Sequence, residues 1–259
     1  MDPAALRDDM VDGLEHALDR QLPPAVTTAM RAVPREEFVP EAPYDNRETE
    51  AVGTRVLSPT AVARLLTALD PQEGEETLLV GAGVGYTAAV VAEIVGAKHV
   101  HALDISRDVV REARSNLDAA GYGAVLVDWR DGAEGLPEYA PFDRVVVEAA
   151  AVAPPAALVD QLAADGRLVM PYGTRDQQLV AVAPDPEAPD GYAVAERFGS
   201  VRFSPLLVEG EQAGRQARNR TEREDREFAQ QGYFAPSGWE YEWVDWDDRL
   251  SGRERRGRR

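Results

Sequence analysis

Hydrophobic positions follow two different periods along this chain, and the change from one to the other divides it. Over residues 3–20 the apolar residues Leu6, Met10, Leu14 and Leu18 recur every fourth position, the spacing of one helix face. A second helical segment is expected near 24–33. The stretch that follows, VPREEFVPEAPYDNRE, breaks the period with prolines and polar residues and reads as an irregular loop. Order returns at SPTAVARLLTAL, where Ser58 suits an N-cap and Pro59 a first helical turn.

From about residue 75, short apolar runs alternate with helical ones. Strands are expected at 76–81, 98–104, 123–127, 142–150 and 166–173, and helices at 86–95, 107–120 and 154–163. Apolar strands separated by helices imply a parallel sheet covered on both faces, an α/β fold of the doubly wound, Rossmann-like type. QQLVAVAPD and AVAERFGSVRFSPLL read as two more strands joined by a Pro/Gly turn, an antiparallel hairpin at the sheet edge. The pattern thus divides the chain into a helical segment at 1–58, a nucleotide-type core at 59–208 and an extension at 209–259. The extension is almost wholly polar and charged at first, and reads as a solvated helix or as disorder. Three of the four tryptophans then fall in WEYEWVDWDDRL, a segment that could dock on the body or on a partner.

Composition narrows the function classes. The 259 residues are 44% hydrophobic and include no cysteine, which excludes a disulfide framework, thiolate catalysis and cysteine-ligated metals. His16, His99 and His101 have no ligand spacing with nearby carboxylates, so no metal is expected; His99 and His101 read as alternating along a strand. No run approaches the ~20 apolar residues of a membrane helix. The acidic start MDPAALRDDMVDGLEHAL lacks the order of a signal peptide, so a cytoplasmic protein is expected. The net charge is −18, and Lys98 is the only lysine. Such a charge opposes non-specific nucleic-acid binding, and an acid-rich, lysine-poor surface resembles those of salt-in halophiles.

The chemistry concentrates at LLVGAGVGYTAAVVAEIVG. Gly81-Ala82-Gly83-Val84-Gly85 closes a strand and opens a helix, where a ligand must approach the backbone. The spacing is G-x-G-x-G, and Tyr86 stands where a dinucleotide fingerprint has its last glycine. S-adenosylmethionine, which has no pyrophosphate, fits that loop better than NAD or FAD. The strand at 98–104 ends in Asp104, 19 residues after Gly85 and followed by Ile105; a carboxylate there can bind both ribose hydroxyls. Asp131-Gly132 follows the next strand, where an acidic residue can accept from the adenine amino group; the same pair is also a common turn.

With these residues in place, the chain resembles the protein-L-isoaspartate O-methyltransferases over roughly residues 10–207. VPREEFVPEAPYDNRE, VGAGVGYTAAVVAEIVG, RDGAEGLPEYAPFDRVVVEAA, PPAALVDQLAADGRLVMPYGTRDQQL and VRFSPL carry the likeness. It implies a class I methyltransferase sheet and S-adenosylmethionine held by Gly81, Ala82, Gly83, Gly85, Tyr86, Asp104, Ile105, Asp131 and Gly132. It also implies isoaspartyl-containing proteins as substrates, methylated on the α-carboxylate in protein repair. The family's Gly-Gln-Thr-Ile-Ser-x-Pro motif corresponds to Gly53-Thr54-Arg55-Val56-Leu57-Ser58-Pro59. Counting forward from Tyr44 puts Ser58 at the family's catalytic serine; counting back from PTAVA puts Leu57 there. Ser58 equally suits a helix cap. Leu79 replaces an acidic residue before the loop, Arg130 a glycine, and Glu148 a threonine. These changes leave open a methyltransferase of the same fold with another acceptor, or a paralogue that binds without catalysing.

Overall fold

The computed structural model describes residues 2–207. Two helices lead, α1 (Pro3–Leu18) and α2 (Pro24–Ala32). The Asp2 carboxylate accepts from the Ala4 N–H to cap α1, whose Met10, Val11 and Leu14 are buried. A small antiparallel hairpin follows, β1 (Thr49–Ala51) and β2 (Thr54–Val56). Then come α3 (Pro59–Leu69), β3 (Thr77–Val80), α4 (Tyr86–Val95), β4 (Val100–Asp104), α5 (Arg107–Ala119) and β5 (Leu126–Trp129). The rest is β6 (Phe142–Val147), α6 (Ala156–Asp160), β7 (Leu162–Tyr172), β8 (Gln178–Pro184) and β9 (Tyr192–Ser200).

Seven strands form one sheet in the order β5-β4-β3-β6-β7-β8-β9. β5 to β7 are parallel, and β8 and β9 add the antiparallel edge that the sequence predicts. Alternate residues of each strand serve opposite faces. Leu79, Ala102 and Val146 join the helices α1 to α5 in one core; Leu78, Val80, Leu103 and Val147 belong to a second core. Both faces are covered as expected, though unequally. Two right-handed crossovers from β3 to β4 and β4 to β5 run in one direction and put α4 and α5 on the same side. The other face carries α6 and the segment around Leu136 and Tyr139.

Two further differences have local causes. The helix expected over 154–163 is α6, five residues long, and by Leu162 the chain is already strand. Phe142 pairs with Leu162, but Arg144 pairs with Arg167, so residues 163–166 bulge from the ladder. A Cβ on Gly166 would lie 2.7 Å from the Ala163 carbonyl oxygen, so the bulge needs glycine there. The hairpin follows the stretch read as loop, where no strand is expected. Its turn is Val52-Gly53, with φ of +52° and +72°, and hairpin turns with two positive φ values favour Asn-Gly. A β-branched residue there is strained, so Val52→Asn is expected to stabilise the protein by roughly 1 kcal/mol. A urea midpoint that stays put or falls would show that the turn holds no such strain.

His99 and His101 do not simply alternate. Both rings meet one carboxylate, with His99 Nδ1 2.6 Å from Glu76 Oε1 and His101 Nε2 3.1 Å from Oε2. The pairing holds Glu76 below its usual range against the opposing effect of burial. It lies at the start of β3 and β4, away from the strand ends that form the cleft described next. The Trp-containing extension predicted at 209–259 falls outside the described residues. Among those described, no helix is long and apolar enough to cross a membrane.

Candidate active site

Strand order reverses beside β3, which pairs with β4 on one side and β6 on the other. A cleft opens there at the carboxyl ends of the strands, where ligands bind in sheets of this kind. Gly81 and Gly83 come from the loop after β3, Asp104 and Ile105 from the end of β4, Gly132 from beyond β5 and Glu148 from the end of β6. Gly53, Thr54, Arg55 and Leu57 close it from the β1–β2 side, and residues 203–207 from the other.

Each glycine of the loop has its own reason. All three have positive φ: +96° at Gly81, +52° at Gly83 and +93° at Gly85. The Gly81 and Ala82 N–H groups both donate to the Leu103 carbonyl at 2.9 Å, fastening the loop to β4. At Gly83 a Cβ would meet no atom within 4 Å, so the chain itself does not fill that space. At Gly85 a Cβ would lie 3.1 Å from Leu117 and 3.2 Å from the Ala113 carbonyl oxygen. Gly85 thus serves the packing of α4 on α5. Gly132 is similar, since a Cβ there would stand 2.6 Å from Val80.

Asp104 completes the loop. Its Oδ2 accepts from Gly83 N–H at 3.3 Å and its Oδ1 from Ser106 N–H at 3.0 Å. Burial raises its pKa, and these backbone donors oppose the rise. Each carboxylate oxygen keeps a lone pair for a diol. Ile105 is fixed behind it: its carbonyl accepts from Trp129 Nε1 at 2.9 Å, and the Arg107 guanidinium stacks 3.8 Å from the Trp129 ring. Asp131 builds a turn, its Oδ1 accepting from Ala133 N–H at 2.8 Å beside the cleft-lining Gly132. Arg130 turns to Glu138 at 2.7 Å. Asp104→Ala is expected to weaken S-adenosylhomocysteine binding by 1.5–3 kcal/mol, roughly 10- to 150-fold, through the lost charge-assisted bonds. Calorimetry showing an unchanged affinity would remove the ribose role.

Tyr86 packs behind the loop. Its ring is buried, meets Phe38 edge-on at 5.9 Å and lies 4.3 Å under the Arg35 guanidinium. The first turn of α4 points it into the helical layer, so it supports the loop from behind and lines the smaller recess beside the cleft. The register around Leu57 and Ser58 has a physical outcome as well. Ser58 is the N-cap of α3, and its Oγ accepts from Ala61 N–H at 3.2 Å. Leu57 lines the cleft.

Two residues that the sequence did not single out hold the walls. Arg35 is buried in a turn at 35–37, and it donates from Nε to the Pro43 carbonyl and from Nη2 to the Leu57 carbonyl, both at 2.8 Å. Gln177 is buried at the mouth of β8. Its amide accepts from Phe203 N–H at 2.6 Å and donates to the Phe203 carbonyl at 3.0 Å. That clamp and the Ala150–Pro205 bridge hold residues 203–206 along the end of β6. The VPR tripeptide and the QQ dipeptide carry no mark of such tasks; only burial reveals them.

Comparison with known proteins places the family and the fold. The family model described as protein-L-isoaspartate(D-aspartate) O-methyltransferase matches residues 10–212. A protein-L-isoaspartate O-methyltransferase of Methanocella arvoryzae is 43% identical over 184 residues, covering 69% of this chain and 96% of that one. One from Aeropyrum pernix is 42% identical over 191 residues, covering 71% and 73%. Among solved structures, a Plasmodium falciparum protein described as this methyltransferase in complex with S-adenosyl-L-homocysteine shares the fold. Its TM-score is 0.67 at 22% identity, over 78% of this chain and 98% of that one.

Proposed function

Because the chain belongs to the protein-L-isoaspartate(D-aspartate) O-methyltransferase family, we propose that it methylates the α-carboxylate of L-isoaspartyl residues in damaged proteins. The observation that carries the reading is the pairing of Gly83 and Asp104. A loop glycine faces open space, and its N–H is tied to a carboxylate with lone pairs to spare. That pairing fits an adenosine-bearing donor. We assign Gly81, Ala82, Gly83, Asp104, Ile105 and Gly132 to hold S-adenosylmethionine, with Asp131 shaping the turn beside it and Gly85 seating α4. When bound, S-adenosylmethionine supplies an electrophilic methyl group.

The protein's own work is positional. An isoaspartyl carboxylate is already ionised at pH 7, so no base is needed. The β1–β2 hairpin and residues 203–207 exclude water from the anion and hold it in line, and such alignment can supply most of the rate gain. Arg55 on β2 brings a cation to the cleft and is held only loosely, 3.4 Å from both Glu48 and the Arg202 carbonyl. Methyl transfer is then expected to close the ester to a succinimide, which reopens in part to aspartate. The acidic, lysine-poor composition supports a cytoplasmic setting at high salt.

Labelled methyl transfer to an isoaspartyl peptide in molar potassium chloride, with the aspartyl peptide as control, tests the reading. Transfer to the isoaspartyl peptide alone supports it. A second reading, another acceptor, is favoured by Leu57 on the cleft wall. No transfer to either peptide while S-adenosylhomocysteine still binds would move the assignment there.

A further inference from the structure

Glu148 stands at the end of β6, where the cleft narrows into a smaller recess behind the hairpin. It lines both spaces, and so does Leu57. Its backbone lies against the donor loop: a Cβ on Gly81 would be 3.3 Å from Glu148 Cβ. Its Oε1 is shielded from solvent and has no hydrogen-bond partner among the described residues. An ionised carboxylate left so would be costly, and it would repel the anion that the cleft must admit. A neutral carboxyl in the same place has the opposite property. Its Oε1 can carry an O–H that has no partner among the described residues, on the wall where an acceptor carboxylate must come.

Resting on the isoaspartyl reading above, we propose that Glu148 acts in its protonated form as the hydrogen-bond donor to the acceptor carboxylate, supplying the O–H that Leu57 lacks. The surroundings hold it in that form. Burial pushes its carboxyl up to about 7, and the nearby Asp104 charge pushes the same way. The Thr87 hydroxyl and the Arg35 guanidinium oppose them. Tyr86 and Arg55 complete the groups around the recess, and Arg55 also lines the outer cleft, where it meets the acceptor's charge. The two reactants bring opposite charges, a sulfonium and a carboxylate, which offset each other at Glu148. The donor form therefore prevails below about pH 7 and is lost above it. No atom is transferred from Glu148; it holds its proton throughout and orients one carboxylate oxygen.

The test compares wild type with Glu148→Gln, a neutral donor at every pH. For wild type, kcat/KM on an isoaspartyl peptide is expected to be about tenfold higher at pH 6 than at pH 8, the ratio of protonated fractions about a midpoint near 7. The affinity of that peptide for the S-adenosylhomocysteine complex is expected to fall with pH in step. In Glu148→Gln both ratios are expected to collapse towards one. Glu148→Ala, which has no donor, is expected to lose peptide affinity at pH 6 while S-adenosylhomocysteine still binds. An unchanged tenfold ratio in Glu148→Gln would overturn the proposal. So would loss of transfer in Glu148→Gln at both pH values with peptide affinity intact, since the ionised carboxylate would then be the working form. If wild type transfers to no isoaspartyl peptide at either pH, the substrate reading itself fails and this role with it.

Discussion

Replacing Gly83 with valine is expected to weaken S-adenosylhomocysteine binding by about 100-fold or more, some 2.7 kcal/mol, in a protein that remains folded. The space beside Gly83 is open within 4 Å, so an added side chain meets the ligand's volume and not the protein's. The backbone is also at φ +52°, where a β-branched residue adds about 1–2 kcal/mol of strain. Strain moves the urea midpoint and lost ligand space moves the affinity, so the two are separable. Gly83→Ala gives intermediate values on both if this account holds. Gly85, two residues on, is the contrast. Its alanine variant would press on Leu117 and the Ala113 carbonyl, lowering stability first and affinity only through it. Calorimetry showing full affinity in Gly83→Val would place the ligand elsewhere.

That contrast also marks what the sequence could convey. The glycine loop, the α4 helix at 86–95 and the antiparallel edge were legible, because glycine spacing and apolar period survive any tertiary context. The roles within the loop were not. Gly81, Gly83 and Gly85 look alike in one dimension, yet one faces a cleft and another a helix. Tyr86 follows the loop and was grouped with it, but a helix start turns successive side chains by about 100°. Its ring therefore enters the core. The α6 segment misled for a different reason. Its Leu158 and Leu162 keep helical spacing, and both are buried against the same core, one from a helix and one from a strand. The β1–β2 hairpin was hidden because its turn carries Val-Gly where Asn-Gly would announce it.

The Leu57–Ser58 ambiguity was a matter of one residue of register, and helix capping decides its geometry. Pro59 occupies the first turn of α3, so the residue before it must cap. Ser58 does so, and the side chain one place earlier faces the cleft. Two of the signs of divergence in the sequence thus lie together in space: Leu57 and Glu148 share a wall. If Leu57 holds the family's serine position, an absent hydroxyl and a gained carboxyl on the same wall read more coherently as one exchange than as two unrelated changes.

Arg35→Met is the substitution expected to do most damage outside the cleft, destabilising the protein by about 3 kcal/mol. Methionine keeps much of the packing volume but leaves the Pro43 and Leu57 carbonyls without their donor in a dry site, at about 1–3 kcal/mol each. Release of a buried guanidinium offsets part of that, since burial already depresses the Arg35 pKa. Arg35→Lys recovers little, because one ammonium cannot serve two carbonyls and stack on Tyr86 together. The loss also has a readout that simple instability lacks. Arg35 is the cation that holds the Glu148 carboxyl down, so without it the pH midpoint of methyl transfer is expected to move upward. Urea unfolding gives the first quantity and a pH series of kcat/KM the second. A midpoint that stays fixed in a destabilised Arg35→Met would mean that Arg35 only braces the hairpin and that burial, Thr87 and Asp104 set the ionisation of Glu148 without it.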